Sequence, residues 1–253
     1  MLKKFVASMV LGLSLLSNAN AAIIETPVDL ELQLLTDVSG SVDADEYLLQ
    51  LNGYVNAFRS NTIIDAILNG AIGSIAVQYV EWSGSSQQQI QVDWTLINNQ
   101  ASAFAFADSL AGLTRAFGGS TAIGSALEFG AGLFANNGFK GTRRVVDVSG
   151  DGQNNAGISV ALGKAAAFNA GVNTINGISI GTAGGLGDYY KQTVIGGSNA
   201  FHIHADSFAD FNTGIQQKLQ REISATSVSE PGSLLILALG MLGLAASRRR
   251  QLR

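Results

Sequence analysis

The stretch Leu30-Glu-Leu-Gln-Leu-Leu-Thr-Asp-Val-Ser-Gly-Ser-Val-Asp43 constrains the chain more than any other. Leu30, Leu32 and Leu34 alternate as on a buried strand, because successive strand side chains point to opposite faces. The strand runs into Asp37-Val-Ser-Gly-Ser41, and a helical pattern begins directly afterwards. One carboxylate and two hydroxyls are thus delivered on a tight turn at the carboxyl end of a strand, where open α/β sheets bind ligands. Ligands that are all oxygen suit a hard divalent cation, Mg²⁺ ahead of Zn²⁺ or copper.

Downstream, Asp43 and Glu46 have the spacing of a capping box, with Asp in place of Ser or Thr. Tyr47, Leu48, Leu51, Tyr54, Val55 and Phe58 recur at helical spacing and predict an amphipathic helix over 43–60. Residues 72–82 form an apolar, strand-like run. Gly84-Ser-Ser86 turns the chain, and 89–96 alternates through Ile90, Val92 and Trp94. These two runs predict a hairpin, which places an antiparallel strand on one edge of the sheet. A helix is expected over 100–112. Gly118-Gly119-Ser-Thr121 then opens a helix carrying Ile123, Leu127, Gly130 and Phe134 on one face. Val145–Val148 is a buried-type strand ending in Ser149-Gly-Asp-Gly152, followed by a helix (about 157–170), a strand (172–180), a shorter helix (about 187–195), a strand (199–204) and a last helix (207–223). Strands alternating with helices make a mostly parallel sheet covered on both faces, an α/β fold in three layers. The expected domain spans 28–224. Hydrophobic content of 47%, with 30 glycines against 2 prolines, fits such a packed domain rather than a disordered chain.

Both ends carry processing patterns. Lys3 and Lys4, the apolar run Phe5–Leu16 and the small-residue triplet Ala19-Asn-Ala21 make a three-part signal peptide over 1–21. At the other end a polar stretch leads to Glu230-Pro-Gly-Ser233, an apolar run over 234–246 and the cluster Arg248-Arg-Arg250. Thirteen apolar residues are few for a spanning helix, and the arginines would stay on the cytoplasmic side. This tail, 225–253, resembles the PEP-CTERM signals that exosortase-type enzymes process in Gram-negative bacteria, although Ser229 stands where that pattern usually has proline. The resemblance implies transient anchoring in the inner membrane before release to the periplasm, cell surface or extracellular matrix. Without Lys3, Lys4, the three clustered arginines, Arg253 and Glu230, nine basic residues face eighteen acidic ones. A surface near −9 makes nucleic acid and anionic lipid poor partners. With no cysteine, export brings no disulfides, and stability must come from the core and bound metal.

Asp37/Ser39/Ser41, Thr121 and Asp151 all fall at the same edge of such a sheet. Asp-x-Ser-x-Ser, a Gly-Gly-x-Thr loop some eighty residues on and an Asp-Gly after the next strand resemble the metal-ion-dependent adhesion site of von Willebrand factor A (VWA) domains. The likeness extends over 30–223 and is closest to a bacterial VWA-like family of unknown function, which shares Tyr79–Gly84, Asp147–Gly152 and Val194–Gly197. It implies a three-layer, Rossmann-like fold. Ser39, Ser41 and Thr121 would then coordinate through hydroxyls, with charge supplied by Asp37 and Asp151, partly through waters. Mg²⁺ is the implied ion, with Mn²⁺ or Ca²⁺ able to replace it, and one position would stay open for an acidic group of a partner. The bland alternative is that the hydroxyls cap helices and the two Asp end strands.

Other candidates are weaker. His202 and His204 face the same side of a strand, but no third ligand accompanies them, so they are expected to be ordinary strand residues. A Ser-His-Asp hydrolase can be assembled in principle, yet no Gly-x-Ser-x-Gly elbow is present. Asp147, inside an apolar strand, is expected to make a core ion pair or hydrogen bond, with Arg143 and Arg144 available to it. Asn154 and Asn155 form a turn with a candidate contact to the metal loop. The glycine-rich Gly181–Gly187 lacks a Walker lysine and is expected to be a loop. The leading expectation is an exported, non-enzymatic binding module for a protein or matrix partner. Its rivals are a structural matrix component with a purely stabilising metal, and a metal-assisted hydrolase.

Overall fold

A computed structural model describes residues 25–225. The expected signal peptide (1–21) and the apolar run at 234–246 lie outside the described residues.

The chain folds as strand β1 (Thr26–Val28), β2 (Leu30–Asp37), helix α1 (Ala44–Arg59), α2 (Asn61–Leu68), β3 (Ile75–Trp82), β4 (Gln88–Ile97), α3 (Gln100–Ala111), α4 (Ile123–Gly132), β5 (Phe139–Gly141), β6 (Arg144–Gly150), α5 (Val160–Asn169), β7 (Thr174–Ile180), α6 (Leu186–Tyr189) with a π turn (Tyr190–Val194), β8 (Gly196–Gly197), β9 (His202–Ala205) and α7 (Phe208–Ser224). The main sheet has the order β4-β3-β2-β6-β7-β8, with β9 also beside β7. Its core is parallel. β4 runs antiparallel on one edge, as the hairpin predicts, and β8 adds a second, very short antiparallel pair with β7.

β2 is buried along its whole length. Leu30, Leu32 and Leu34 pack in one core with α1, α2, α3 and α7, whereas Leu35 joins β3, α4, α5 and α6 on the other face. The polar residues interleaved with these leucines are buried too, so each needs a partner. Gln33 donates to Gln78 Oε1 (2.8 Å) and to the Gly130 carbonyl (3.1 Å), while Glu31 receives Arg144 Nε (3.1 Å) and Asn137 Nδ2 (2.7 Å).

Several boundaries differ from expectation. The strand expected from 72 begins at Ile75, because Ile72, Gly73 and Ser74 turn around the Asp29 carboxylate. The helix expected from 157 begins at Val160, with Ser159 as its cap and Gly157 at φ 69°, a left-handed value that a helix cannot contain. α2, β1 paired with β5, and β8 are additions that short, locally weak segments did not announce.

The chain winds from β2 outward to β3 and β4, then returns across the sheet to β6 on the other side of β2. The crevice between β2 and β6 is therefore the topological switch point, the place where the connections diverge and leave room for a ligand.

Candidate metal centre

Asp37 ends β2, and Asp151 directly follows β6, so the switch point carries both carboxylates. The structure brings all five expected residues together there. Asp37 Oδ1 accepts the Ser39 amide (2.7 Å), bending the loop so that the Ser39 and Ser41 hydroxyls meet (3.2 Å). Thr121 Oγ1 lies 3.3 Å from Ser39 Oγ, and Ser41 Oγ donates to Asp151 Oδ1 (2.7 Å). Ser39 and Asp37 are fully buried, while Ser41 is exposed and Asp151 half-buried, so the cluster opens to solvent on one side.

The hydroxyls are not helix caps. α1 is capped by Asp43, which accepts the Glu46 amide (2.9 Å) and completes a capping box, and the N-cap of α4 is Ala122, which has no side-chain cap bond. The capping alternative therefore leaves Ser39, Ser41 and Thr121 unexplained.

Asp37 Oδ2 is buried and has no hydrogen-bond partner among the described residues. A buried unpaired carboxylate oxygen is costly, and burial pushes the Asp37 carboxyl up to about 7 despite the Ser39 hydrogen bonds. Burial also raises the Asp151 carboxyl, against the pull of its Ser41 bond. Three hydroxyls, two carboxylates and an orphaned carboxylate oxygen fit a hard divalent cation, which would supply the missing charge. Among the described residues no three His, Cys, Asp or Glu side chains gather as a metal cluster, since this centre is built mainly of hydroxyls.

The surrounding loops are tied together by groups that only the fold brings near. Gly40 donates its amide to the Gly119 carbonyl (2.7 Å), and Gly119 donates to Ser83 Oγ (2.7 Å). Arg115 donates through Nε and Nη2 to the Val38 carbonyl (3.1 and 2.8 Å) and also reaches the Ser39 carbonyl. Its loop is anchored by the buried Glu81, which accepts the Ala116 amide (2.8 Å), the Tyr47 hydroxyl (2.8 Å) and Gln91 (2.9 Å). Asn155 Oδ1 accepts the Thr121 amide (2.9 Å) and Asn154 Oδ1 that of Gly124 (3.0 Å), so the Asn154-Asn155 turn does contact the metal loops. Nothing in the sequence marks Arg115, because it lies in a loop without periodicity.

A depression of about 310 Å³ lined by Glu46, Asp151, Thr182, Asp206 and Phe208 adjoins the centre. A larger cavity, about 680 Å³, lies at the opposite end of the sheet by Asp29, Asn69, Arg143 and Ala225, and includes none of the five residues.

Asp147 does form a core ion pair, but with neither Arg143 nor Arg144. Its partner is Lys218 of α7, which also binds Glu222 (2.6 Å) with all three side chains fully buried. Arg144 pairs with Glu31 instead, and Arg143 donates to the Glu222 carbonyl (2.8 Å). His202 Nε2 and His204 Nδ1 each lie 2.8 Å from Ser179 Oγ, and Asp206 stands 3.6 Å from His204 Nε2. This has the composition of a catalytic triad, but Ser179 is fully buried and offers no surface to a substrate.

Solved structures share this architecture. The proximal thread matrix protein 1 of the mussel byssus superposes with a TM-score of 0.61 at 18% identity, covering 79% of this chain and 49% of its own. The same protein is also known with zinc occupying its MIDAS motif (TM-score 0.57, 17% identity, 79% and 49% covered). The pilus adhesin SpaC from Lactobacillus rhamnosus GG gives 0.58 at 15% identity, covering 79% and 31%, and a von Willebrand factor type A protein from Catenulispora acidiphila gives 0.55 at 14%, covering 78% and 43%. The chain spans about half the length of the byssus protein or less of the others. The fold is that of a VWA domain. Residues 27–227 match the family described as "Protein of unknown function (DUF1194)", and the chain belongs to that family. A PEP-CTERM protein-sorting motif matches 227–250, which marks an exported protein. No curated protein sequence matches the chain.

Proposed function

We propose that this is a VWA-type binding module that holds Mg²⁺, with Mn²⁺ or Ca²⁺ as substitutes, on Asp37, Ser39, Ser41, Thr121 and Asp151. It uses the ion's open position to bind an acidic group of a protein or matrix partner. The observation that carries this reading is the buried, unpartnered Asp37 oxygen beside three hydroxyls that cap no helix. The zinc-occupied motif of the byssus protein is consistent with it. The ion supplies positive charge and an exchangeable coordination site. The residues of the chain hold it, exclude water from its inner side and leave the Ser41 side open.

The sorting motif supports delivery to the periplasm, cell surface or extracellular polymer after processing of the tail by an exosortase-type enzyme, with 1–21 removed as a signal peptide and 28–224 left as the binding domain. The module has no catalytic role in this reading. The test is thermal unfolding of the protein in EDTA and in millimolar Mg²⁺, Mn²⁺ or Ca²⁺, beside Asp37→Ala. A ligand bound only by the native state stabilises it by about 2.7 kcal/mol at a hundredfold excess over Kd. A cation-dependent rise in Tm that Asp37→Ala removes is expected, and no rise with any ion would sink the proposal. Capture of a matrix partner that EDTA reverses separates adhesion from a purely stabilising metal.

A further inference from the structure

Behind the metal loops stands a segment that the proposed function has not used. α6 and the π turn place Tyr189 and Tyr190 side by side, and the two rings meet edge to face with centroids 6.2 Å apart and planes at 69°. The Tyr189 hydroxyl accepts the Asn154 amide (3.2 Å), and Asn154 in turn accepts the amide of Gly124 in the first turn of α4, just past Thr121. Tyr190 is fully buried and points beneath β6. Its hydroxyl, like Asp37 Oδ2, has no hydrogen-bond partner among the described residues.

These two orphans face the same spot. A Cβ added at Gly150 would lie 2.7 Å from Tyr190 Oη and 2.8 Å from Asp37 Oδ2. A second glycine makes room for the ring, since a Cβ at Gly177 would come within 2.9 Å of Tyr190 Cδ1. Glycine inside a strand weakens it, and its presence marks a close approach of another group. Here two adjacent strands, β6 and β7, each give up a side chain where the Tyr190 ring and hydroxyl pack, with the hydroxyl on the same side of Gly150 as Asp37 Oδ2. The π geometry that aims it is held by the Ile195 amide on the Tyr190 carbonyl (3.0 Å), and Lys164 Nζ caps the segment at the Thr193 (3.0 Å) and Ile195 (2.6 Å) carbonyls. π turns are rare and concentrate at functional sites.

We propose that Tyr190 is a positioning residue for the cation: its hydroxyl, which makes no direct hydrogen bond here, serves Asp37 Oδ2 across one buried water and fixes the carboxylate in its ion-holding orientation, while Tyr189 holds the Asn154 loop. The inference rests on the proposed metal centre. Outer partners of this kind change metal affinity by roughly 10–100-fold when removed.

The test measures Mn²⁺ and Mg²⁺ affinity by calorimetric titration, and Tm in EDTA, for the wild type, Tyr190→Phe, Tyr190→Leu and Tyr189→Phe. Tyr190→Phe keeps the ring and removes only the hydroxyl, so its Tm in EDTA should stay level or rise while cation affinity falls about tenfold or more. Tyr190→Leu should lose both affinity and metal-free stability, and Tyr189→Phe should lose a smaller part of the affinity. Tyr190→Phe binding cation as the wild type does would overturn the inference, whatever its Tm, and would leave the ring as packing. A wild type that binds no cation would overturn this inference together with the proposed function, so the two failures are told apart by the wild-type titration.

Discussion

Asp37 and Asp147 lie on the neighbouring strands β2 and β6, both without solvent exposure, and burial pushes both carboxyls up to about 7. Their surroundings differ in one respect. Asp147 is given a cation by the chain itself, Lys218, and shares it with Glu222, whose Oε1 also receives Asn176 Nδ2 (2.8 Å). Asp37 receives amide and hydroxyl groups. The cation that acts on it, Arg115, directs its donors to the Val38 and Ser39 carbonyls instead. A buried acid with an internal counter-ion has its charge balanced inside the core between the sheet and α7, even though Asp147 Oδ2 and Glu222 Oε2, like Asp37 Oδ2, accept no hydrogen bond among the described residues. On the proposed reading, a buried acid with hydroxyl neighbours beside a solvent-facing side takes its counter-ion from outside. On that reading burial alone does not mark a functional carboxylate; the origin of the balancing charge does.

The largest effect should come from breaking the closed site. Lys218→Met leaves two carboxylates buried without a cation, and removing one partner of a buried pair costs about 3–5 kcal/mol. Urea unfolding should show that loss, and added Mg²⁺ should not restore it. Rescue by Mg²⁺ would mean that the two acids are not distinct in kind.

Next comes Asp37→Ala, which should abolish the cation-dependent gain of about 2.7 kcal/mol at a hundredfold excess of ion over Kd. Its stability in EDTA should change little or improve, because the substitution removes an unpartnered buried acid. A loss in EDTA as large as that of Lys218→Met would erase the distinction.

pH separates the two acids further. Both folded carboxyls bind a proton at pH values where the unfolded chain, with carboxyls near 3.8, has released it. Stability of the metal-free protein is therefore highest below about 4 as far as these groups are concerned, and falls as pH rises towards 7. Saturating Mg²⁺ keeps Asp37 ionised in the folded state and should remove its share of that slope, leaving the share of Asp147. Equilibrium unfolding at pH 5 and 7, with and without the ion, reads both parts; an ion-independent slope would contradict the assignment of Asp37.

Arg115→Ala should have the smallest effect. It frees the Val38 and Ser39 carbonyls, which loosens the loop, but also removes the positive charge that pulls the Asp37 and Asp151 carboxyls down, which favours a cation. The effects oppose, so affinity should change by no more than several-fold, about 1 kcal/mol. Calorimetric titration with Mn²⁺ checks it.

Much of this was legible along the chain. The heptapeptide around Asp37-Val-Ser-Gly-Ser41 is local: three of its oxygens come from a single turn, and the apolar run before it can only be a buried strand. Thr121 and Asp151 were found because each follows a strand end or a glycine pair, although their meeting with Ser39 and Ser41 needed the sheet order. Lys218 and Glu222 carry a signal that is readable in the sequence. They occupy the stripe formed by Phe211, Ile215 and Leu219, and a charged pair on an apolar stripe predicts burial with a partner. Arg143 and Arg144 are the nearer candidates in sequence, but Arg144 opens β6 and Arg143 precedes it, away from Asp147 in the middle of the strand.

Sequence by itself determined the alternation of strands and helices, the antiparallel edge and the five oxygen-bearing residues, because each depends on periodicity or on neighbours within one turn. Tertiary structure alone decided that β6 returns beside β2, that Arg115 clamps the loop at Val38 and Ser39, that Lys218 neutralises Asp147, and that Tyr190 packs against Gly150 on the side that Asp37 Oδ2 occupies. Those are contacts between residues 40 to 113 positions apart in the chain. They are set by which strands pair and which faces pack, and no local pattern records that choice.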